Sequence, residues 1–448
     1  MSEGRASTPV TSLSVTDGVA MLIGIVIGVG IFKTPTLIAA NVDSASAFIG
    51  VWLLGGLITI IGALCYAELG SARPHAGGEY RYLAHAYGQP VGVLFVWARG
   101  TVIQTGAIAL VAFVYGDYAS VLVPLGPYGA AIHATSAVLA LTLLNLVGTP
   151  HSKRAQILLS SLTVIALLAI AVAGFTNGVA DLPEVPADRA PSGGAIGLAM
   201  VFVLLTYGGW NEAAYLAGEL KEARQRMART LLLSTGGVIV LYLVVNIAFL
   251  RVFGLEGLRE TNAVGADLMK LVAGDTGAVI LSLIVCIGAL STLNATIFTG
   301  ARVYYALGRD LAAIGILGVW DERGHKPGNA LVLQCAIALA LVGLGALTRD
   351  GFETMVDYTA PVFWFFMLMV AVSVFIFRRR DAGAGLHFRA PLYPLTPLLF
   401  AAACAWMLYS ALVYTGFGAL IGVAVLVAGT PLLWFSARQT AATPDPAE

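Results

Sequence analysis

Long apolar stretches separated by short polar ones run along almost the whole chain. Twelve of them have the roughly 20 mostly apolar residues that a helix needs to cross a bilayer. These predicted spans are 17–40, 45–70, 90–117, 130–147, 155–176, 195–219, 230–252, 275–305, 328–347, 354–377, 394–414 and 417–437. The pattern therefore predicts an all-α membrane protein with twelve transmembrane helices.

Two polar segments, 177–194 and 378–393, divide the spans into blocks of five, five and two. The predicted organisation is a polar tail at 1–16, spans one to five at 17–176, spans six to ten at 195–377, spans eleven and twelve at 394–437, and a second tail at 438–448. The segment 253–274 is amphipathic, which predicts short helices lying on the outer face.

Basic residues divide unevenly between the two sides of the membrane that this count creates. Seventeen Lys and Arg fall on the side of the N-terminus and five on the other. Cytoplasmic loops carry such an excess, so both tails are predicted to be cytoplasmic. In the whole chain, 25 basic residues balance 25 acidic ones, which gives no reason to expect a nucleic-acid partner.

Histidine and cysteine residues show no pattern that predicts catalysis or metal binding. The four cysteines lie in separate apolar stretches, and the six histidines are scattered. We therefore expect no cofactor, no metal and no enzyme activity, and we expect the cysteines to be buried as small apolar side chains.

Glycines interrupt two spans in matching places of the first two blocks. Gly28-Val29-Gly30 lies in the first span and Gly208-Gly209 in the sixth. Unwound backbone inside a membrane is tolerated only where it lines a cavity or is buried in protein, so paired interruptions indicate the substrate site of a transporter. The alternative is that these small residues only allow close helix packing, as the Gly24-Gly28 spacing also suggests.

A broken helix exposes backbone groups of both signs. The N–H groups that start a new half-helix favour an anion, and the carbonyls that end the preceding half favour a cation. An amino acid in its zwitterionic form carries both charges. The predicted substrate-binding residues are Val26, Gly28, Val29, Gly30, Ile31, Leu205, Tyr207, Gly208, Gly209, Trp210 and Asn211.

Several motifs resemble those of the amino acid-polyamine-organocation (APC) transporters, in particular the L-type amino-acid transporter branch. They are Gly28 to Phe32 with Pro35, Tyr66 to Gly88, YGGWNEAAYLAGEL from Tyr207, STLNATIFTGARVYYALGRD from Ser291, and FRAPLYPLTP from Phe388. The resemblance covers almost the whole chain. It implies five plus five helices in inverted repeat (a LeuT-like fold), broken helices one and six, two peripheral helices, and alternating access in a bacterial cytoplasmic membrane.

Carried over by position, the resemblance places the substrate carboxylate at the amides of Val29 and Gly30. The amino group would meet the carbonyls of Val26, Leu205 and Gly208, and Asn211 would support the sixth-span break. Val29 stands where a serine is usual, and Leu205 where eukaryotic relatives carry a gating aromatic residue.

Relatives that accept cationic amino acids often carry an aspartate where this chain has Gly208. The sequence places no other acid near either break, so we expect neutral L-amino acids as substrates.

The loop 116–129 lacks the cysteine that links heteromeric relatives to a glycoprotein, so no disulfide-linked subunit is expected. Membrane lipid is the remaining expected partner.

Other polar residues suggest a gate and an ion site. Glu68, Glu79 and Glu219 with Arg81, Arg302 and Arg309 could form a cytoplasmic gate or static salt bridges. Ser291 and Thr292 could bind sodium, or could bond their own helix. Lys33 is expected to extend its stem to the outer surface, and Arg99 and Gln104 are candidate pathway groups.

The sequence thus favours an exchanger of neutral L-amino acids. A sodium- or proton-coupled symporter is the nearest alternative, although the fifth span lacks the lysine that some relatives use in proton coupling. A transport-inactive sensor or a channel is a more remote alternative. A sensor is disfavoured because the tails are too short for a signalling domain.

Overall fold

The computed structural model describes residues 14–75, 77–147, 153–176, 193–217, 220, 222–261, 263–310, 312–320, 327–348, 350–381, 388–413 and 417–431. Its α-helices are α1 (Val15–Val26), α2 (Thr34–Ala40), α3 (Ala45–Ala72), α4 (Gly78–Tyr87), α5 (Gln89–Ala98), α6 (Thr105–Leu122), α7 (Gly129–Val147), α8 (Lys153–Thr176), α9 (Gly193–Thr206), α10 (Ala213–Leu216), α11 (Ala223–Glu260), α12 (Val264–Asp310), α13 (Gly328–Ala346), α14 (Gly351–Arg380), α15 (Leu395–Val413) and α16 (Phe417–Ala428). All regular structure in the described ranges is helical.

Short irregular helical pieces interrupt three of the predicted spans. They are the 3₁₀ turns Val29–Phe32 and Trp210–Glu212, and a π-helix at Arg99–Gln104 between α5 and α6. A third 3₁₀ segment, Ala312–Gly318, follows α12. The π-helix is a wide turn that often marks a functional site.

Eight helical segments in the described ranges are long and apolar enough to cross a membrane, and a bent pair at Gly18–Phe32 and Thr34–Ala40 gives a ninth. Three shorter apolar helices, Ser161–Thr176, Ile196–Thr206 and Gly418–Ala428, lie where the fifth, sixth and twelfth spans are predicted. The protein is therefore an all-helical integral membrane protein. The count of twelve spans and the inverted repeat stay predictions.

The segment between the seventh and eighth spans is helical, as the sequence predicts. Non-helical backbone at Gly254 separates the end of α11 from its long apolar part. Gly274 does the same in α12, and both glycines have positive φ, where a side chain would be strained. The predicted tails lie almost entirely outside the described residues, as does most of the 177–194 segment.

Helix packing forms two groups. In one, α1 and α3 pack against α11, and α9 packs against α2 and α3, so the first, second, sixth and seventh spans lie together. In the other, α6, α7 and α13 pack around α12, and α8 contacts both α11 and α12. The buried core joins the groups into one continuous hydrophobic cluster.

Close packing of α6 on α7 depends on Gly116. A Cβ at this position would lie 2.1 Å from the backbone oxygen of Ala130, which cannot move aside as a side chain could. We predict that Gly116→Ala lowers the free energy of unfolding by about 1–3 kcal/mol, the usual effect of overpacking. Thermal unfolding of the purified protein in detergent measures it.

Gly343 in α13 is the matched control, because no atom outside the adjoining backbone of its own helix lies within 4 Å of a Cβ built there. Gly343→Ala should leave the melting temperature unchanged or raise it slightly, since alanine favours the helix. Equal melting temperatures for the two variants would contradict the proposed α6–α7 contact.

Candidate functional site

The first span is interrupted at the predicted glycines. Helix α1 ends at Val26, Gly28 is extended, and the Gly28 N–H donates to Val26 O at 2.7 Å. A 3₁₀ turn from Val29 to Phe32 follows, and the chain bends by 54° before α2. The first N–H groups of a new helical turn have no carbonyl partner within it, so the amides of Val29 to Ile31 begin a half-helix here.

The sixth span is interrupted in the same way. Helix α9 ends at Thr206, and the Gly208 N–H donates to Leu205 O at 3.0 Å instead of making the helical bond to Leu204 O. Gly209 has φ of 100°, a left-handed conformation that favours glycine. A 3₁₀ turn, Trp210–Glu212, then leads into α10.

The two breaks lie against each other. A Cβ on Gly209 would lie 3.2 Å from Ile25 O, and one on Gly30 would lie 3.6 Å from Thr206 Cγ2. The hydroxyl oxygens of Thr206 and Thr34 are 2.7 Å apart, and Thr34 donates to Gly30 O at 3.1 Å. These two threonines were missed from the sequence, where nothing distinguishes them from other helix hydroxyls.

A cavity of about 190 Å³ lies beside the sixth-span break. Its walls are mostly apolar and come from α5 and α6 with the intervening π-helix, from the sixth span, and from α14. Residues spaced by four along the third span, such as Phe95, Arg99 and Ile103, present one face to it. A concave, mostly apolar cavity with a few polar groups is the usual form of a small-molecule site.

The cavity receives some of the predicted site residues and not others. Leu205, Gly208, Gly209 and Asn211 line it. The first-span residues do not line it in this conformation; these are Val26, Gly28, Val29, Gly30 and Ile31.

Two predicted aromatic residues pack away from the cavity. Tyr207 stacks on Tyr242 and contacts the edge of Trp52. Trp210 contacts Tyr66 and Phe400. Both side chains therefore support the sixth-span break from behind.

The Val26 carbonyl is already engaged. It accepts from the Gly28 N–H at 2.7 Å and from the Tyr242 hydroxyl at 3.0 Å, which occupies both of its lone pairs. A substrate ammonium group could bind this oxygen only by displacing one of those donors.

One end of the cavity carries the Arg99 cluster, which we define as Glu79, Arg99 and Glu212. Arg99 Nη2 lies 2.8 and 3.0 Å from the two Glu212 oxygens, and Nη1 donates to Glu79 Oε2 at 3.3 Å. The guanidinium also lies over the Tyr215 ring, 4.5 Å from its centroid.

Glu79 accepts hydrogen bonds from three further groups. These donors are Tyr66 at 2.6 Å, Asn211 at 3.1 Å and Tyr215 at 3.1 Å. The pKa of Glu79 is raised, because burial and the neighbouring Glu212 carboxylate outweigh Arg99 and the hydrogen bonds from Tyr66 and Asn211. The four donors hold the Glu79 side chain in one position between α3, α4 and the third and sixth spans.

The expectation that no acid lies near either break is therefore wrong. Glu79 and Glu212 both line the cavity beside the sixth-span break. Glu79 comes from α4, far away in sequence, and only folding reveals its position. Glu212 directly follows Asn211 in the quoted motif, and the 3₁₀ turn places it on the cavity wall.

A second charged group, the Lys33 cluster, joins the first span to the third and tenth spans. Lys33 Nζ lies 3.0 Å from Asp117 and 3.1 Å from Asp350, and its side chain is only 8% exposed. The expectation that this stem extends to the outer surface is therefore wrong, because two partly buried carboxylates hold its ammonium group inside the protein. The adjacent Phe32 O accepts from Tyr118 at 3.1 Å, so two neighbouring links pin the end of the first break to α6.

The predicted gate residues lie apart. Glu68 pairs with Arg378, and its Oε2 also accepts the Ala390 N–H at 2.7 Å, so Glu68 holds α3 to the end of α14. Arg302 lies over the Phe298 ring of its own helix, 3.4 Å from the centroid. Glu219 lies outside the described residues, and a gate built from these three residues stays a prediction.

The possible sodium-binding residues lie on α12. Ser291 is buried and Thr292 is half-buried. One turn further on, the Thr296 hydroxyl donates to Thr292 O at 2.8 Å, so hydroxyls of this helix do bond their own backbone. Sodium binding here stays a prediction.

The Lys33 cluster provides a test of buried charge. We predict that Lys33→Met lowers the free energy of unfolding by about 3 kcal/mol, the lower end of the range for breaking a buried ion pair, because it leaves two partly buried carboxylates without a cation. Adding Asp117→Asn should recover part of that loss. Lys270→Met is the control, since Lys270 pairs with Asp275 at the surface, and it should change the melting temperature little. A similar effect of the two lysine variants would contradict this assignment.

Comparison with known proteins places the chain in a family. Residues 13–436 match the family described as Amino acid permease. The chain is 27% identical to the large neutral amino acids transporter small subunit 2 of Oryctolagus cuniculus, over 92% of this chain and 78% of that protein. It is 26% identical to the serine/threonine exchanger SteT of Bacillus subtilis (strain 168), over 92% and 94%.

The b(0,+)-type amino acid transporter 1 of Mus musculus is 26% identical over 85% of this chain and 80% of that protein. These relatives are transporters and not enzymes. Together with the two interrupted helices and the cavity beside them, they identify the chain as a member of the amino acid permease family, within the APC superfamily of membrane transporters.

Proposed function

We propose that the protein exchanges neutral L-amino acids across a bacterial cytoplasmic membrane by alternating access. The observation that carries this proposal is the meeting of two interrupted helices beside a mostly apolar cavity. The half-helix amides suit a carboxylate, the freed carbonyls suit an ammonium group, and the apolar wall suits an uncharged side chain. The names of three relatives, which concern amino-acid transport or exchange, support it.

In the proposed complex, the ammonium group binds the carbonyls of Leu205 and Gly208 at the cavity wall. We leave Val26 O out of this set, because Gly28 and Tyr242 already donate to it. The carboxylate binds the amides of Val29 and Gly30. Those amides lie behind the cavity wall in this conformation, so substrate binding requires the first-span break to move relative to Thr206.

That movement fits the packing of the helices. The first, second, sixth and seventh spans form one group, and the third, fourth, eighth and ninth another. We propose that the first group rocks against the second, with the Arg99 and Lys33 clusters as the contacts that must rearrange. Both termini are cytoplasmic in this proposal, and the Arg99 cluster faces the cytoplasmic side.

Neutral substrates remain the proposal although two acids line the cavity. Arg99 pairs with both carboxylates, and Glu79 is surrounded by donors, so the cluster has a cation of its own. The mostly apolar remainder of the wall favours an uncharged side chain.

We also propose that the chain works without a disulfide-linked subunit, since residues 116–129 contain no cysteine.

Exchange predicts a specific transport behaviour. Proteoliposomes that contain an unlabelled neutral amino acid should take up a labelled one rapidly, and empty proteoliposomes should not. Collapsing the sodium or proton gradient should leave this uptake unchanged, because no ion moves with the substrate. Uptake into empty vesicles that requires an imposed gradient would instead establish a symporter.

The backbone site predicts the effect of a side chain at Gly30. A Cβ at Gly30 would touch Thr206, so the larger Gly30→Leu side chain would fill the space between the breaks and cover the amides. We predict that this variant loses amino-acid binding in a thermal-shift assay while it still folds. Gly50→Leu is the control, because Gly50 is exposed on α3 and no atom outside the adjoining backbone of its own helix lies within 4 Å of its Cβ position. Binding by Gly30→Leu at the affinity of the unmodified protein would exclude the carboxylate site.

A further inference from the structure

The π-helix at Arg99–Gln104 keeps both parts of the third span facing the cavity. Phe95 in α5 precedes it and Ala107 in α6 follows it, and both residues line the cavity. An α-helix turns by about 100° per residue, so an uninterrupted one would point residues 95 and 107 about 120° apart. The π-helix is wider and takes up one extra residue, which reduces this angle to about 20°. The third span therefore needs this turn to present one continuous face to the cavity.

Two tyrosine hydroxyls from other helices bind the backbone of this turn. Tyr304 of α12 donates to Gly100 O at 2.8 Å, and Tyr358 of α14 donates to Thr101 O at 2.9 Å. The Tyr304 ring packs against Gly100, where an added Cβ would lie 3.2 Å from the ring. Both tyrosines are buried, and neither lines the cavity. Their hydroxyls therefore act on the turn and do not touch a substrate in the cavity.

A third contact holds the end of the turn against α12. Gln104 Nε2 donates to Thr296 O and to the Thr299 hydroxyl, both at 3.1 Å. From the same turn, Arg99 and Ile103 reach the cavity wall. A π-helix is rare, and unusual backbone persists only where its surroundings hold it. The contacts from α12 and α14 therefore determine where Arg99 and Ile103 lie.

We propose that Tyr304 and Tyr358 are positioning residues for substrate binding. They hold the π-helix, and the π-helix holds Arg99 and Ile103 in place at the cavity wall. When one of these hydroxyls is removed, a backbone carbonyl of the turn loses a buried donor. The turn then relaxes toward an α-helix, which rotates the two side chains away from the cavity. The inference deepens the proposed function and rests on it, since it takes the cavity as the place where the amino acid binds.

Two variants remove the hydroxyls and keep the rings. Tyr304→Phe and Tyr358→Phe are purified, and their amino-acid binding is measured by calorimetry. The probe is leucine, or whichever neutral amino acid stabilises the wild-type protein most in a thermal-shift screen. We expect each variant to fold and to bind the probe about three- to tenfold more weakly, because one buried hydrogen bond biases two backbone conformations by about that factor.

Tyr87→Phe is the matched control. The Tyr87 hydroxyl donates to Met369 O of α14 at 2.7 Å, so this variant also removes a bond from a tyrosine to a carbonyl, but one outside the third span. It should bind the probe with the wild-type affinity. If all three variants weaken binding by the same factor, the effect comes from general loosening of the helices, and the inference is overturned.

A double-mutant cycle tests whether the tyrosines act through the turn. Ile103→Ala shortens a side chain that the turn presents to the cavity. In this background, Tyr358→Phe should weaken binding by a smaller factor than in the wild-type protein, because part of the contact that Tyr358 positions is already gone. Equal factors in the two backgrounds would overturn the positioning role.

The remaining outcomes separate this inference from the function it rests on. Wild-type affinity in both tyrosine variants would overturn the positioning role while amino-acid binding stands. Failure of both variants to fold, with Tyr87→Phe folded, would assign the two hydroxyls to stability and would overturn the inference as well. If no amino acid binds the wild-type protein, the proposed function itself fails.

Discussion

Irregular backbone inside a membrane-spanning segment of this protein has to find hydrogen-bond partners without help from bulk water. Tyrosine hydroxyls from neighbouring helices supply several of them. Tyr242 donates to Val26 O and Tyr118 to Phe32 O, one at each end of the first break. At the π-helix, Tyr304 donates to Gly100 O and Tyr358 to Thr101 O. The breaks can exist at this depth because other helices complete them.

This constraint links the site to the packing of the helices. A carbonyl that a tyrosine occupies is no longer free for a substrate, which is why Val26 O leaves the proposed ammonium site and Leu205 and Gly208 remain. Because the tyrosines belong to other helices, relative movement of those helices would change which backbone groups are available. In the proposed mechanism, backbone recognition of the substrate and rocking of the two helix groups would therefore depend on the same contacts.

Charge is organised around the same breaks. In both the Lys33 cluster and the Arg99 cluster, one base contacts two carboxylates. A buried charge needs a partner, so each cluster ties together elements that would otherwise be free to separate. The Lys33 cluster joins the first span to the third and tenth, and the Arg99 cluster joins the third and sixth to α4. In each cluster an ion pair thus links the first helix group to the second, through Lys33 and Asp117 in one and Glu212 and Arg99 in the other.

The local pattern of apolar residues and glycines along the sequence predicted much of this architecture. Apolar length predicted where the helices lie, and the glycine pairs predicted both interruptions, because a run of apolar residues and a missing Cβ act on their immediate surroundings. Leu205, Gly208, Gly209 and Asn211, all predicted from the sequence as binding residues, line the cavity. Only the tertiary structure could show that Glu79 and Glu212 share Arg99, or that Lys33 is held by Asp117 and Asp350. Such pairings join residues from different helices, and the rotation of each helix, which decides what its side chains meet, follows from packing against its neighbours.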